Sequence, residues 1–369
     1  MKKNRRYLAL CAICLSFCLW TPMRTFSGNP DRSGSAGAQE LLINPYASSS
    51  GWAGVNTANV RGIDAMFNNV AGLAFTRGTD VSFNRMAWMG GSGITINNLG
   101  FSQHVGETGA LGINVMAMSA GQIPITTVDN PEGGLGTFSP SFINIGISYA
   151  KGFSDNIYGG ATVRIIQESI SNVQSKGISI DAGIQYHAGK MDQMHFGISL
   201  KNVGPKMSYQ GDGLTFTSNI LNGSQFNYTS VGYTATFENR SMAYELPSLL
   251  NIGAAYDFYL TKDTSGVRNK HHRVTVAGNF TSNSFTYDQF IGGVEYGFRN
   301  MLIARFGYAY EAGITGANTR SALLGPTFGA TLQYPKFGRS KQSTIALDYS
   351  YRPMFPFTGT SCIGLRVSF

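Results

Sequence analysis

From about residue 79 to the end of the chain, apolar and polar side chains alternate with a period of two, and few folds tolerate that pattern over such a length. Residues 301–311 are the plainest case: Leu302, Ala304, Phe306, Tyr308 and Tyr310 share one face, and Arg305, Gly307 and Glu311 the other. Just upstream, Phe290, Val294, Tyr296 and Phe298 oppose Gly293, Glu295 and Gly297, and the short step from Phe298 to Met301 predicts a tight hairpin. The same alternation returns at residues 143–149, 178–186, 196–201, 251–258 and 345–352. It predicts about fourteen segments of roughly 9–13 residues, the length of a tilted membrane strand. Several apolar faces end in Tyr or Phe, as expected of an interfacial aromatic girdle.

The connections sharpen the choice. Short turns at 151–156, 189–193 and 299–300 contrast with long loops at 121–138, 204–245, 262–270 and 312–324. Short periplasmic turns and long extracellular loops are what barrel insertion produces, whereas a secreted sandwich would show less asymmetry. Composition agrees: only 13% of residues are charged, 12% are aromatic, 46 are glycine, and the mean hydropathy is near zero at −0.06. A soluble globule would carry more charge, and a helical membrane protein would be far more apolar. The expected fold is all-β, a transmembrane antiparallel up-and-down β-barrel of about fourteen strands spanning residues 79–369, with outer-membrane lipid around it.

Before the barrel come two segments of a different kind. Lys2, Lys3, Arg5 and Arg6 precede an apolar run from Tyr7 to Trp20, the n-region and h-region of a secretory signal over residues 1–27. Cleavage is expected after Ser27 or, with better small-residue chemistry but far downstream, after Ala38. Cys11 and Cys18 follow Leu10 and Phe17, which does not suit lipidation, and Cys362 would be left as the one thiol of the mature chain, with no disulfide partner. Residues 39–78 are mixed in polarity and partly helical in pattern, and a wide barrel must fill its lumen or leave it open. An N-terminal hatch, or plug, is the economical reading.

The last strand alternates Ile363, Leu365, Val367 and Phe369 with Gly364, Arg366 and Ser368 and stops on the aromatic. Leu365, Val367 and Phe369 thereby resemble the C-terminal signal read by the barrel-assembly machinery. Charges of both signs fall on the inward faces: Arg164, Lys201, Arg305 and Arg366 against Glu168, Asp181, Asp257, Glu295 and Asp348. On the lipid face each would cost roughly 2–4 kcal/mol near the midplane, so the alternation sends them to the lumen. A balanced set suits bracing of a plugged interior better than a selectivity ring, with Glu295 and Arg305 the first pair to expect.

The net charge of +8 draws on the N-terminal basic residues and on Arg268, Lys270, His271, His272 and Arg273, a cluster placed between two strands and read as solvated loop charge. It lacks the basic stripe with interleaved aromatics that nucleic acid needs, so no nucleic-acid partner is expected. His104, His187, His195, His271 and His272 show no metal-ligand spacing, and no phosphate-cradling loop is present; neither catalysis, a metal nor a cofactor is expected. The loop 204–245 is rich in Tyr209, Phe216, Phe226, Tyr228, Tyr233 and Phe237 among Asn, Ser and Thr, a mixture suited to an adaptable binding surface or to an apolar entrance.

Asp64 followed by Asn68-Asn69-Val70-Ala71-Gly72-Leu73 resembles the "D…NPAGL" hatch motif of the FadL-like barrels, the long-chain fatty-acid transporter superfamily, with Val70 in place of the usual Pro. More narrowly, residues 47–60, the hairpin carrying Gly293-Val294-Glu295-Tyr296 and Arg305-Phe306-Gly307-Tyr308, residues 345–351 and the terminal Phe369 resemble the PorV/PorQ family associated with type IX secretion. That resemblance implies fourteen strands with an N-terminal hatch. It also implies that external loops receive secreted cargo by its C-terminal signal domain from a large translocon and pass it to an attachment complex. The alternative is a FadL-like transporter of hydrophobic small molecules.

Overall fold

A strand with one apolar face in lipid must still satisfy every backbone amide, and without water the sheet can do so only by closing on itself. The computed structural model, which describes residues 28–221, 232–262, 268–314, 322–335 and 343–369, shows that closure. Its fourteen barrel strands are β1 (Thr79–Ala87), β2 (Thr95–Val105), β3 (Gly109–Ser119), β4 (Ser141–Gly152), β5 (Ile157–Ile170), β6 (Val173–Ala188) and β7 (Met194–Val203), followed by β8 (Leu249–Lys262), β9 (Arg268–Asn283), β10 (Gln289–Phe298), β11 (Leu302–Glu311), β12 (Gly325–Pro335), β13 (Thr344–Arg352) and β14 (Thr360–Ser368). Each pairs antiparallel with its sequence neighbours, and β1 closes on β14 with Phe83 opposite Leu365. The expected signal segment 1–27 and the loop aromatics Phe226 and Tyr228 lie outside the described residues.

The core of this barrel is inverted relative to a soluble protein. Leu99, Ile147, Ile180, Ile198, Leu332 and Ile363 face outward and are about half exposed, whereas Asn98, Ser102, Asn144, Thr162, Ser199 and Thr275 face inward and are buried. Water on one side and hydrocarbon on the other account for that division.

The strands set the sidedness. Phe369 and the start of β1 share one end with the turns 106–108, 153–156, 189–193 and 299–301, where β8 and β12 end and β9 and β13 begin. Connections 120–140, 204–248 and 312–324 stand at the opposite, extracellular end, along with the short 171–172 and 284–288. One expectation is corrected here. The segment 262–270 is not a long external loop: β8 runs to Lys262, β9 starts at Arg268, and these two residues pair at the periplasmic end. His271, His272 and Arg273 belong to β9. His272 faces the Tyr296 hydroxyl on the outer wall, and Arg273 points into the lumen.

Residues 28–76 run from the extracellular rim, where Gly28 meets Asp288, down into the barrel, as five short 3-10 turns and two single α-turns. The wall makes room for them with glycine. A Cβ built on Gly100, Gly112, Gly183, Gly197, Gly253, Gly293, Gly307, Gly329 or Gly364, on nine different strands, would meet an atom of this segment. Gly197 faces the Thr57 carbonyl, Gly307 the backbone of Trp52, and Gly329 the backbone of Gly51. A chain touched from nine strands around a closed wall can only be in the lumen.

Candidate functional site: a lumen divided by the N-terminal segment

The division is built from the residues upward, starting with Asp64, Asn68, Asn69, Gly72 and Leu73. Asn69 is the anchor: its side-chain amide donates to the carbonyls of Thr57 (2.9 Å), Ile184 (3.0 Å) and Ile198 (3.4 Å), joining the segment to β6 and β7. Its Oδ1 accepts from Ala71 N at 3.2 Å and so caps the turn Val70–Phe75. Asn68 bonds Asn56 and Asn44 within the segment, and its carbonyl accepts from Ser199 of β7 at 2.9 Å. A Cβ on Gly72 would stand 2.1 Å from the Val60 carbonyl, so only glycine closes that turn. Leu73 is fully buried with Tyr46, Ile63, Met66 and Phe67. Asp64 accepts from the Ser48 hydroxyl and pairs with Arg366 of β14 at 3.2 Å.

Below the segment lies a charged cavity of about 310 Å³ facing the periplasm, lined by Arg61, His195, Asp257, Arg273, Glu295 and Arg366 among others. A continuous chain of polar contacts crosses its wall. His195 Nε2 meets Asp257 at 3.2 Å, Asp257 meets Arg273 at 3.5 Å, and Arg273 meets Glu295 at 2.5 Å. Glu295 then accepts from Arg305 Nε at 2.6 Å, Arg305 donates to Thr331, Thr331 to Asp348, and Arg366 bridges Asp348 to Asp64. Eight consecutive strands are thereby tied to the lumen segment. Each link satisfies a charge whose isolation in this low-dielectric space would cost several kcal/mol.

Above the segment is a second cavity, of about 200 Å³, toward the extracellular end. Leu42, Ile43, Met86, Trp88, Ile291 and Leu323 supply its apolar lining, and Asn251, Asn283 and Gln289 its amides. Lys201 and Arg352 also line it, and no carboxylate does so among the described residues. Lys201 is only 5% exposed, and its ammonium rests 3.6 Å from the centre of the Phe67 ring. It sits where the β6–β7 ladder breaks register, between Ile180 and Ala182. There Asn202 adopts φ 58° and donates its backbone N–H to Asp181 at 2.7 Å instead of to the neighbouring strand.

Described residues of the connection 204–248 are held against β5 and the start of the lumen segment. Tyr209 and Tyr244 of the connection 204–248 both donate to Glu168 at 2.6 Å, and Glu245 binds Arg32 at 2.7 Å and Lys206 at 3.3 Å. Glu40, 5% exposed beneath them, is pushed up to about 7 by burial and by the nearby Glu168 carboxylate.

No protein-family model and no curated protein matches the sequence. Solved structures do match. The toluene transporter TodX of Pseudomonas putida superposes with a TM-score of 0.53 at 13% identity, covering 88% of this chain and 98% of that one. The fold is that of the TodX barrel. A TodX deltaS2S3 mutant, described as a monoaromatic hydrocarbon channel, aligns at 0.50, 13%, 88% and 98%, and a Pseudomonas aeruginosa FadL homologue at 0.49, 12%, 89% and 98%. At such identity the likeness is one of architecture. With its closed wall and apolar belt, the chain is a Gram-negative outer-membrane β-barrel.

The barrel separates the residues singled out from the sequence. Arg164, Glu168, Asp181, Lys201, Asp257, Glu295, Arg305, Asp348 and Arg366 all face inward, but in distinct groups. Arg164 pairs with Asp181 at 2.6 Å, Glu168 is held by tyrosines, Lys201 faces the upper cavity, and the rest join the lower chain. Tyr209 is half-buried and donates its hydroxyl to Glu168 at 2.6 Å. Phe216 and Phe237 stack at 5.6 Å on an external ribbon formed by Thr215–Leu221 and Gly232–Glu238, the latter also containing Tyr233. Leu365 and Phe369 face outward, Val367 pairs with Val81 of β1, and Phe369 N donates to Thr79 O at 2.9 Å. Arg273 was read as solvated loop charge but pairs with Asp257 and Glu295, and His195, Tyr244 and Arg352 were given no site role from the sequence. Extending the inward parity of β9 back from Thr275 would have found Arg273.

Proposed function

We propose that this protein carries a hydrophobic small molecule across the outer membrane, the upper cavity being its binding chamber. The observation that carries this reading is the chamber's lining: apolar side chains on one part, amides and hydroxyls on another, and the cations Lys201 and Arg352, with no carboxylate among the described residues. Such a site suits an apolar body with an acidic head. Passage straight down would bring the apolar body against the lower charge chain and strip ions of their partners. The fold shared with a toluene transporter supports the reading.

Trp88 lines the chamber and Trp52 lies in the lower one, so tryptophan emission reports occupancy. Titration with a brominated medium-chain fatty acid and with toluene is expected to quench Trp88 saturably. Lys201→Met should weaken the acid by about tenfold, the worth of one charge-assisted contact, and leave toluene unchanged. Absence of saturable quenching by either compound would remove the transport reading.

A second reading, cargo or translocon binding in type IX secretion, has one observation of its own: the exposed Phe216–Phe237 pair on the external ribbon. Recovery of secreted proteins sharing a C-terminal domain with the tagged barrel would favour it.

A further inference from the structure

We propose that the mature protein begins at Gly28 and holds its N-terminal ammonium at the extracellular rim, seated on the carboxylate of Asp288. Gly28 N lies 2.8 Å from Asp288 Oδ2, in the connection between β9 and β10 at the end of the barrel that carries the long loops. The other oxygen of that carboxylate accepts from Asn283 N at 3.2 Å, which orients it. A Cβ on residue 28 would stand 2.6 Å from Thr286 O and 2.7 Å from Asp288 N, so the seat accepts glycine alone.

The sequence supplies the matching cleavage point. Thr25 and Ser27 are the small residues that a signal peptidase accepts at the third and first positions before its cut, a few residues beyond the apolar run. The competing cut after Ala38 would discard residues that the fold uses. Ala38 is 4% exposed among Leu41, Ile166, Met207 and Leu246. Gly37 N donates to Glu245 O at 3.0 Å, and the Arg32 guanidinium lies 4.4 Å from the Phe285 ring centre while pairing with Glu245.

Cleavage by a membrane-bound signal peptidase adds one water across the Ser27–Gly28 amide. Ser27 leaves with the leader as a carboxylate, and Gly28 keeps an amine that takes up a proton at neutral pH. The neutral peptide donor facing Asp288 becomes an ammonium with three donors, and the hydrogen bond becomes an ion pair. From there the chain descends through its own lumen to Thr79 at the periplasmic end, so the first residue stands outside the cell.

The test is N-terminal mass spectrometry of the protein from native outer membranes, with a membrane-impermeant amine-reactive label applied to intact cells. Gly28 is expected as the first residue, its amine labelled without permeabilisation. Asp288→Asn is expected to raise that labelling several-fold, because an unpaired amine releases its proton more readily. A first residue at Gln39, a retained leader, labelling only after permeabilisation, or labelling indifferent to Asp288→Asn would overturn the proposal.

Discussion

Glu40 makes the seating of the N-terminal segment depend on pH. Its ordinary value of 4.5 rises to about 7 on folding, through burial first and Glu168 second, with Asn144 and Arg164 working the other way. A raised carboxyl is protonated in the packed state, so its stabilisation is complete below about pH 4.5 and is lost as pH rises through about 7. A fluorophore on exposed Ser35 should therefore be released thermally at lower temperature at pH 8 than at pH 5. The difference is on the order of 3 kcal/mol, and Glu40→Gln should abolish it. At this scale the sequence was readable where partners are close in register. Glu295 and Arg305 oppose each other across one hairpin. Glu40 and Glu168 are brought together only by the threading of residues 28–76, and nothing in their local patterns marks that.

Among the elements, the lumen segment depends on the wall glycines more than on its own regularity, for its longest helical stretch is six residues. Gly307→Leu would drive a side chain into the Trp52 carbonyl, whose backbone cannot yield, whereas Gly292→Leu faces open space outside. Protease digestion of the segment in folded barrels should accelerate strongly for Gly307→Leu and not for Gly292→Leu. Equal rates would mean that the close approach does not hold the segment. Strand positions were legible because lipid and water impose a strict period of two. The ends of β8 and β9 were not, because charged residues on a strand near the rim look like a loop until Arg273 is seen paired with Asp257 and Glu295.

At the scale of the whole molecule, fourteen strands enclose more space than their inward side chains can fill, and residues 28–76 take up the difference. The barrel itself was readable from alternation, low charge and the terminal aromatic. The two chambers were not, since their walls draw on residues far apart in sequence, such as Trp88, Lys201 and Arg352 above, and Arg61, His195 and Arg366 below. Whether the chain divides its own lumen is decided most directly by the electrical conductance of single barrels in planar lipid bilayers. The intact protein is expected to show no sustained ohmic current, while Gly307→Leu, with the segment displaced, conducts in steps. A steady open-pore current from the intact protein would contradict a lumen closed by its own N-terminal segment.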